Sequence, residues 1–156
     1  MKITKSKKKL NHKVFPETPA VSLQTALKMY QFCKRNGQNW LGLASNQVGL
    51  KGRVICIKIN QKWKALINPR IVWSSEGKNL SLESCLSVKD KQVAVVRNFG
   101  VRVLSDGLEP QTLYGQESFC VQHEIDHLNG ILMTDRKVEG NLWVDEMIER
   151  SQNEKG

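Results

Sequence analysis

The sequence predicts an α+β fold with antiparallel strands. Three observations predict it. The element signals run helix, several strands, helix, whereas a parallel sheet needs strands that alternate with helices. Short turn signals at Pro69, Asn98–Gly100 and Asp106–Gly107 divide the strand-like runs into hairpin-like units. A helical periodicity then returns near the end, and it carries two histidines four positions apart.

The elements follow in order. SLQTALKMYQFCKRNG predicts a helix from Ser22, its N-cap, to a stop at Gly37, with Leu23, Leu27, Tyr30 and Cys33 at helical spacing. WLGLASNQVGLKG is Gly-rich and polar and predicts a loop with short extended pieces. RVICIKIN, 53 to 60, is apolar on both faces and predicts a buried strand. WKALINP and RIVWS continue as strands, broken at Pro69. QVAVVRNFGVRVLSDG gives two more strands around the Asn98–Gly100 turn. From Gln116 to Leu128 the apolar positions Phe119, Val121, Ile125 and Leu128 are helical, and Gly130 is the stop. VEGNLWVDEMIERS predicts a short terminal helix.

A chain of 156 residues is long enough for one domain with a core and short for two. The expectation is a single domain over 1–156, with a basic arm at 1–13 and a short terminal helix and tail at 139–156. The composition, 40% hydrophobic and 25% charged, is that of a globular protein and excludes a disordered or fibrous chain. No apolar run is long enough to cross a bilayer, and the basic start lacks the apolar half of a signal peptide, so an unexported, cytoplasmic protein with no membrane partner is expected. The net charge is +9, and six lysines fall within the first thirteen residues. This basic arm is either solvated or a surface for a polyanion such as RNA. Cys33, Cys56, Cys85 and Cys120 form no CxxC pair and no small-scaffold spacing, which predicts free thiols, one of them available to a metal.

In CVQHEIDHLNG, His123 and His127 are i and i+4 on a helix, about 6 Å apart along its axis, so one ion can bridge their rings. Glu124 stands beside the first histidine, placed to handle a proton of the attacking water. This is the HExxH pattern of metal-assisted hydrolysis, although a decorated helix gives the same five letters. A third ligand is required. The candidates are Asp135, Glu139, Asp145, Glu146, Glu149, Cys120 and Cys85. Cys120 shares the histidines' helical face, and three ligands in a line cannot surround an ion. Cys85, from another element, is preferred, against its alternative as a buried core thiol.

GLASNQVG (42–49), ESCLSV (83–88) and QHEIDHLNG (122–130) occur in this order. Together they closely resemble the three signatures of the peptide deformylase family, over roughly residues 10 to 135. The resemblance implies antiparallel sheets around a central metal-binding helix, with an N-terminal helix and a short C-terminal one. It implies hydrolytic removal of the formyl group from N-formylmethionyl peptides. Cys85, His123 and His127 are then the metal ligands, and Glu124 is the general acid/base. Gln47 and the backbone N–H of Leu86 are donors to the formyl oxygen. The ion is one divalent metal, ferrous iron natively, with zinc, nickel or cobalt also accepted. Leu41, Phe119 and Cys120 match positions around the methionine side chain. Gly42 stands where a peptide backbone approaches, and Glu83 and Arg97 match a structural pair.

Several residues depart from the family pattern. Trp40 and Ser45 replace a common glycine and alanine, and Lys89 and Gln92 replace a frequent proline and arginine. Ser84 replaces a glycine, which would strain the backbone if that position needed positive φ. The tail is short and acidic, unlike the basic C-terminal helix with which many members meet the ribosome. Short tails occur among phage-encoded members, so the host cell is a bacterium or a phage-infected one. The lysine-rich arm is the remaining candidate for a ribosome contact. The competing readings are a small HExxH endopeptidase, which does not need Cys85, and a basic RNA-binding module with a structural metal.

Overall fold

The computed structural model describes residues 1–138. The helix expected within 139–156 lies outside the described residues. The elements are α1 (Lys7–Leu10), α2 (Pro19–Asn36), β1 (Gly42–Ala44), a 3-10 turn (Ser45–Val48), β2 (Val54–Ile59), β3 (Lys62–Ile67), β4 (Arg70–Ser74), β5 (Lys78–Cys85), β6 (Val88–Asn98), β7 (Gly100–Ser105), β8 (Leu108–Tyr114), α3 (Gly115–Leu128) and a 3-10 turn (Met133–Asp135). All strand pairs are antiparallel, so the α+β reading holds.

Among the described residues three sheets form, ordered β1-β2-β3, β4-β7-β8 and β5-β6. The first separates α2 from α3, and strand β2 shows why. Its residues alternate between two cores. Ile55, Ile57 and Ile59 join Val121, Ile125 and Leu128 of α3 and Val101 and Val103 of β7. Val54 and Cys56 join Ala26, Met29 and Cys33 of α2. The all-apolar run read in the sequence is therefore buried on both faces.

Four expectations need correction. Helix α2 starts at Pro19 with Thr18 as its cap, accepting from Val21 N–H at 3.4 Å, and Ser22 lies buried inside it. Proline is suited to that first position because it has no N–H to leave unpaired. The stripe Leu23, Leu27 and Tyr30 is exposed, and the buried face is Thr25, Ala26, Met29 and Cys33. Small residues let the helix lie close on the sheet, and periodicity cannot choose between two such faces. The two strands around Asn98–Gly100 exist but do not pair with each other: β6 pairs with β5, and β7 pairs with β4 and β8. Finally, the strands predicted from the sequence lack two that form: β5, which ends at Cys85, and β8, which contains EPQTLY.

The basic arm is strapped to the body. Leu10 is buried, Thr4 N–H donates to Gln47 O at 2.7 Å, and Val14 N–H donates to Leu128 O at 2.8 Å. Its lysines, like His12, stay exposed. Gly130 ends the α3 turn with φ +75, and a Cβ there would come within 3.0 Å of the Asn11 and His12 backbone. Gly130→Ala is therefore expected to cost about 1–2 kcal/mol from the left-handed φ alone. Urea unfolding checks this, and an unchanged midpoint would show that position 130 takes a side chain without backbone strain.

Candidate metal centre and active-site cleft

Two periodicities assemble the centre. On β5, Ser81, Glu83 and Cys85 are buried and share one face, as alternate residues of a strand must. On α3, His123, Asp126 and His127 are at helical spacing, and all are buried. The helix presents Val121, Ile125 and Leu128 to the core while this polar face turns to β5 and β6. Glu117, in its first turn, suits the positive end of the helix and accepts from Asn60 N–H at 2.7 Å.

Cys85 Sγ lies 3.2 Å from His127 Nε2, which lies 3.2 Å from His123 Nε2. All three ligand atoms fall within 4.8 Å of one another. Ligands around a tetrahedral zinc, at roughly 2.0–2.3 Å from the ion, are separated by roughly 3.4–3.7 Å. A thiol and two imidazoles at these spacings fit a divalent ion. His123 Nδ1 is 2.8 Å from Glu83 Oε2, which directs its Nε2 to the centre, as a ligand histidine requires. His127 Nδ1 is buried without a partner among the described residues.

Behind His123 runs a chain of ionic links. Arg97 grips both oxygens of Glu83 at 2.7 and 3.0 Å and donates to Asp126 Oδ2 at 2.6 Å. Arg136 closes on Asp126 through two bonds of 2.6 and 2.7 Å. Burial raises the Glu83 pKa, but His123 and Arg97 outweigh it and hold the carboxyl at about 2. Burial lowers the His123 pKa, but Cys85, Glu83 and Glu124 outweigh it and raise the ring to about 10. Burial and the His123 charge push His127 down to about 3. Without an ion, the pair at neutral pH thus carries one positive charge, on His123.

Glu124 faces the cleft side. Burial raises its carboxyl to about 7, against an opposing pull from His123. Its Oε2 is buried and has no partner among the described residues. A Cβ on Gly42 would come within 2.5 Å of Glu124 Oε1 and 2.8 Å of Cys120 Sγ, so glycine makes room for the carboxylate itself. Gln47 sits in the 3-10 turn after β1. Its Oε1 accepts from Ala44 N–H at 2.8 Å, and its Nε2 donates to Ser87 Oγ at 3.2 Å, 3.7 Å from Cys85 Sγ. Asn46 ties the same turn to α3 by donating to His127 O at 2.6 Å.

A cleft of about 680 Å³ opens here. Leu41, Gly42, Gln47 and Glu83 line it with Cys85 and Leu86, and Phe119, Cys120, His123 and Glu124 line it from α3. His127 and Arg97 do not line it. Leu41 is 46% exposed, at the rim. Burial and the Glu124 charge raise the Cys120 thiol, which makes it a poor thiolate donor, and it is absent from the three-ligand cluster. Ser84 is not among the residues with positive φ, so the strain considered for a serine there does not arise.

The polypeptide deformylase family matches residues 3–143. The chain belongs to this family. A peptide deformylase of Acetivibrio thermocellus is 41% identical over 123 residues, which cover 75% of this chain and 70% of that one. The crystal structure of the Vibrio parahaemolyticus bacteriophage VP16T deformylase, in complex with actinonin, is 34% identical with a TM-score of 0.72. It covers 85% of this chain and 99% of that one. A deformylase from Acinetobacter baumannii with Met-Ala-Ser bound is 28% identical with a TM-score of 0.75, covering 87% of this chain and 97% of that one. Family membership makes the chain a peptide deformylase-type hydrolase, which removes the formyl group from formyl-methionine at polypeptide N-termini. Among the described residues, no helix is long and apolar enough to cross a membrane.

Sequence reasoning missed Asp126, Arg136, Ser87 and Thr4. A carboxylate three positions after His123 was the one available sign, since a buried helix face tolerates it only with a cation beside it. Two outcomes are expected. Arg97→Met leaves Glu83 with His123 alone and Asp126 with Arg136 alone and should cost about 3–5 kcal/mol in urea unfolding, and a loss under about 1 kcal/mol would mean the chain of links is dispensable. Metal uptake at pH 7 should release the His123 proton and tighten with rising pH, up to the folded pKa of about 10. Calorimetry in buffers of different ionisation enthalpy measures this, and uptake without proton release contradicts it.

Proposed function

We propose that Cys85, His123 and His127 hold one divalent ion, ferrous iron in the cell, and that Glu124 is the general acid/base of formamide hydrolysis. The observation that supports this reading is the cluster itself: a sulfur from a strand end and two ring nitrogens from a helix, within 4.8 Å, on a cleft that also holds a carboxylate and an amide. When bound, the ion supplies Lewis acidity, which lowers the pKa of water and polarises a carbonyl. A thiolate with two imidazoles also accepts zinc, nickel or cobalt.

The side chains supply the rest. Water attacks the formyl carbon, the C–N bond breaks, and formate and a free amine leave. Glu124, set near 7 by burial, takes the proton of the attacking water and returns it to the departing nitrogen. The Gln47 amide and the Leu86 N–H donate to the formyl oxygen as negative charge grows there. Each such donor is worth about 3 kcal/mol. An amide suits the position because it donates without carrying a charge, and its carbonyl is already spent on Ala44.

The peptide lies along β1. That strand is at the edge of its sheet, pairing only with β2 among the described strands, so an extended chain can add beside Gly42. The methionine side chain lodges among Leu41, Phe119 and Cys120. Met-Ala-Ser in the Acinetobacter baumannii structure is the product such a peptide leaves. The exposed lysines of the arm offer ribosomal RNA a basic surface in the cytoplasm of a bacterium or a phage-infected host. The whole chain acts as one domain.

Glu124→Gln is expected to bind metal normally and to slow formate release from formyl-Met-Ala-Ser by about 10²–10⁴-fold. Cys85→Ser should lower metal content, while Cys120→Ser should leave it unchanged. Metal analysis alongside an anaerobic formate assay decides this. Retained turnover in Glu124→Gln, or metal loss in Cys120→Ser alone, would reject the assignment.

A further inference from the structure

A second hollow, about 340 Å³, opens where the N-terminal arm meets the β5–β6 hairpin. Lys5 and Lys7 line it from the arm, and Lys89 and Lys91 from the hairpin. None of the described residues lining it is acidic. The hairpin lysines stand there because the ladder is irregular. Ser84 pairs with Gln92 and Cys85 with Val88, so residues 89–91 bulge outward, and Asp90 takes φ +55. Direct interaction with Lys89 lowers the Lys5 pKa, and Asp90 opposes this only in part. Ammonium groups gathered this closely repel one another unless an anion lies among them.

We propose that this hollow binds a phosphate group, held by Lys5, Lys7, Lys89 and Lys91, and that its occupancy steadies Gln47. The connection is short. Thr4 of the arm donates to the Gln47 carbonyl at 2.7 Å, and Ser87 of the hairpin accepts from the Gln47 side chain at 3.2 Å while lining the hollow. An anion bridging arm and hairpin pins both segments that hold this glutamine. The effect on turnover rests on the role proposed for Gln47; the binding does not. The phosphate belongs either to a free phosphorylated compound or to a nucleic-acid backbone, which present the same oxygens.

The test is titration of zinc-loaded, full-length protein with inorganic phosphate at constant ionic strength, followed by amide NMR. The signals of Thr4, Ser87, Lys89 and Lys91 should shift and saturate. Lys89→Glu with Lys91→Glu should weaken binding at least about tenfold, because two charge-assisted contacts are reversed. Lys34→Glu with Arg35→Glu makes the same charge change on α2 and should weaken it by less than about twofold. Non-saturating shifts, equal loss in both charge variants, or shifts confined to His123 and Glu124 would overturn the site. A short RNA that moves the same signals and displaces phosphate identifies the backbone as the source, and failure to compete identifies a free compound. Phosphate should raise kcat for formyl-Met-Ala-Ser in the parent and not in Lys89→Glu/Lys91→Glu. Normal binding with unchanged kcat rejects the coupling to Gln47. Lost formate release in every form, with binding intact, instead counts against the catalytic reading and leaves the site standing.

Discussion

A buried carboxylate must be paired, and Glu83 is paired twice. One partner is Arg97 on β6, and the other is His123 on α3. All three side chains are largely buried, so solvent replaces a lost partner poorly. That constraint sets the registry of β5 against β6 and of both against the helix. Cys85 is two residues after Glu83 and therefore on the same strand face. His127 is four residues after His123 and therefore on the same helix face. Once Glu83 meets His123, the sulfur and the second ring follow. Arg97 carries the linkage on to Asp126, and Arg136 carries it to the surface.

The other side of the centre obeys a steric rule. Glu124 occupies the space that a side chain at position 42 would need, so the edge strand approaches α3 as backbone alone. The same glycine that admits the carboxylate leaves the strand edge clear beside the cleft. Gln47 is held from three directions: by Ala44 through its carbonyl, by Ser87 through its amide nitrogen, and by Thr4 through its main chain. These bonds fix both the side chain and the main chain of the turn. The arm is consequently part of the scaffold as well as a carrier of charge.

Much of the fold and of the centre could be read in advance, for identifiable reasons. The apolar run at 54–59 has no polar face, so it had to be buried on both sides. The histidine spacing had to place two rings on one helical face. The three ordered motifs brought in Cys85, Gln47 and the Glu83–Arg97 pair. The misreadings have equally specific causes. Helix α2 has two stripes at helical spacing, and only the sheet beneath it chooses the one with Ala26 and Met29. Strand β5 alternates buried Ser81 and Glu83 with Leu80 and Leu82, which inverts the usual polarity of a strand. Strands β6 and β7 are joined by a turn yet belong to different sheets.

The sequence by itself determined which chemistry was available: one helix with two imidazoles and a carboxylate, one thiol preceded by a glutamate, and a lysine-rich start. These follow from residue identity and local periodicity, which act over a few positions. Tertiary structure alone decided what those groups meet. Asp126 finds two arginines, Thr4 reaches Gln47, and lysines 84 residues apart, at positions 5 and 89, share one hollow. Such meetings depend on sheet pairing and on where a ladder bulges, and these are set by the packing of the whole chain.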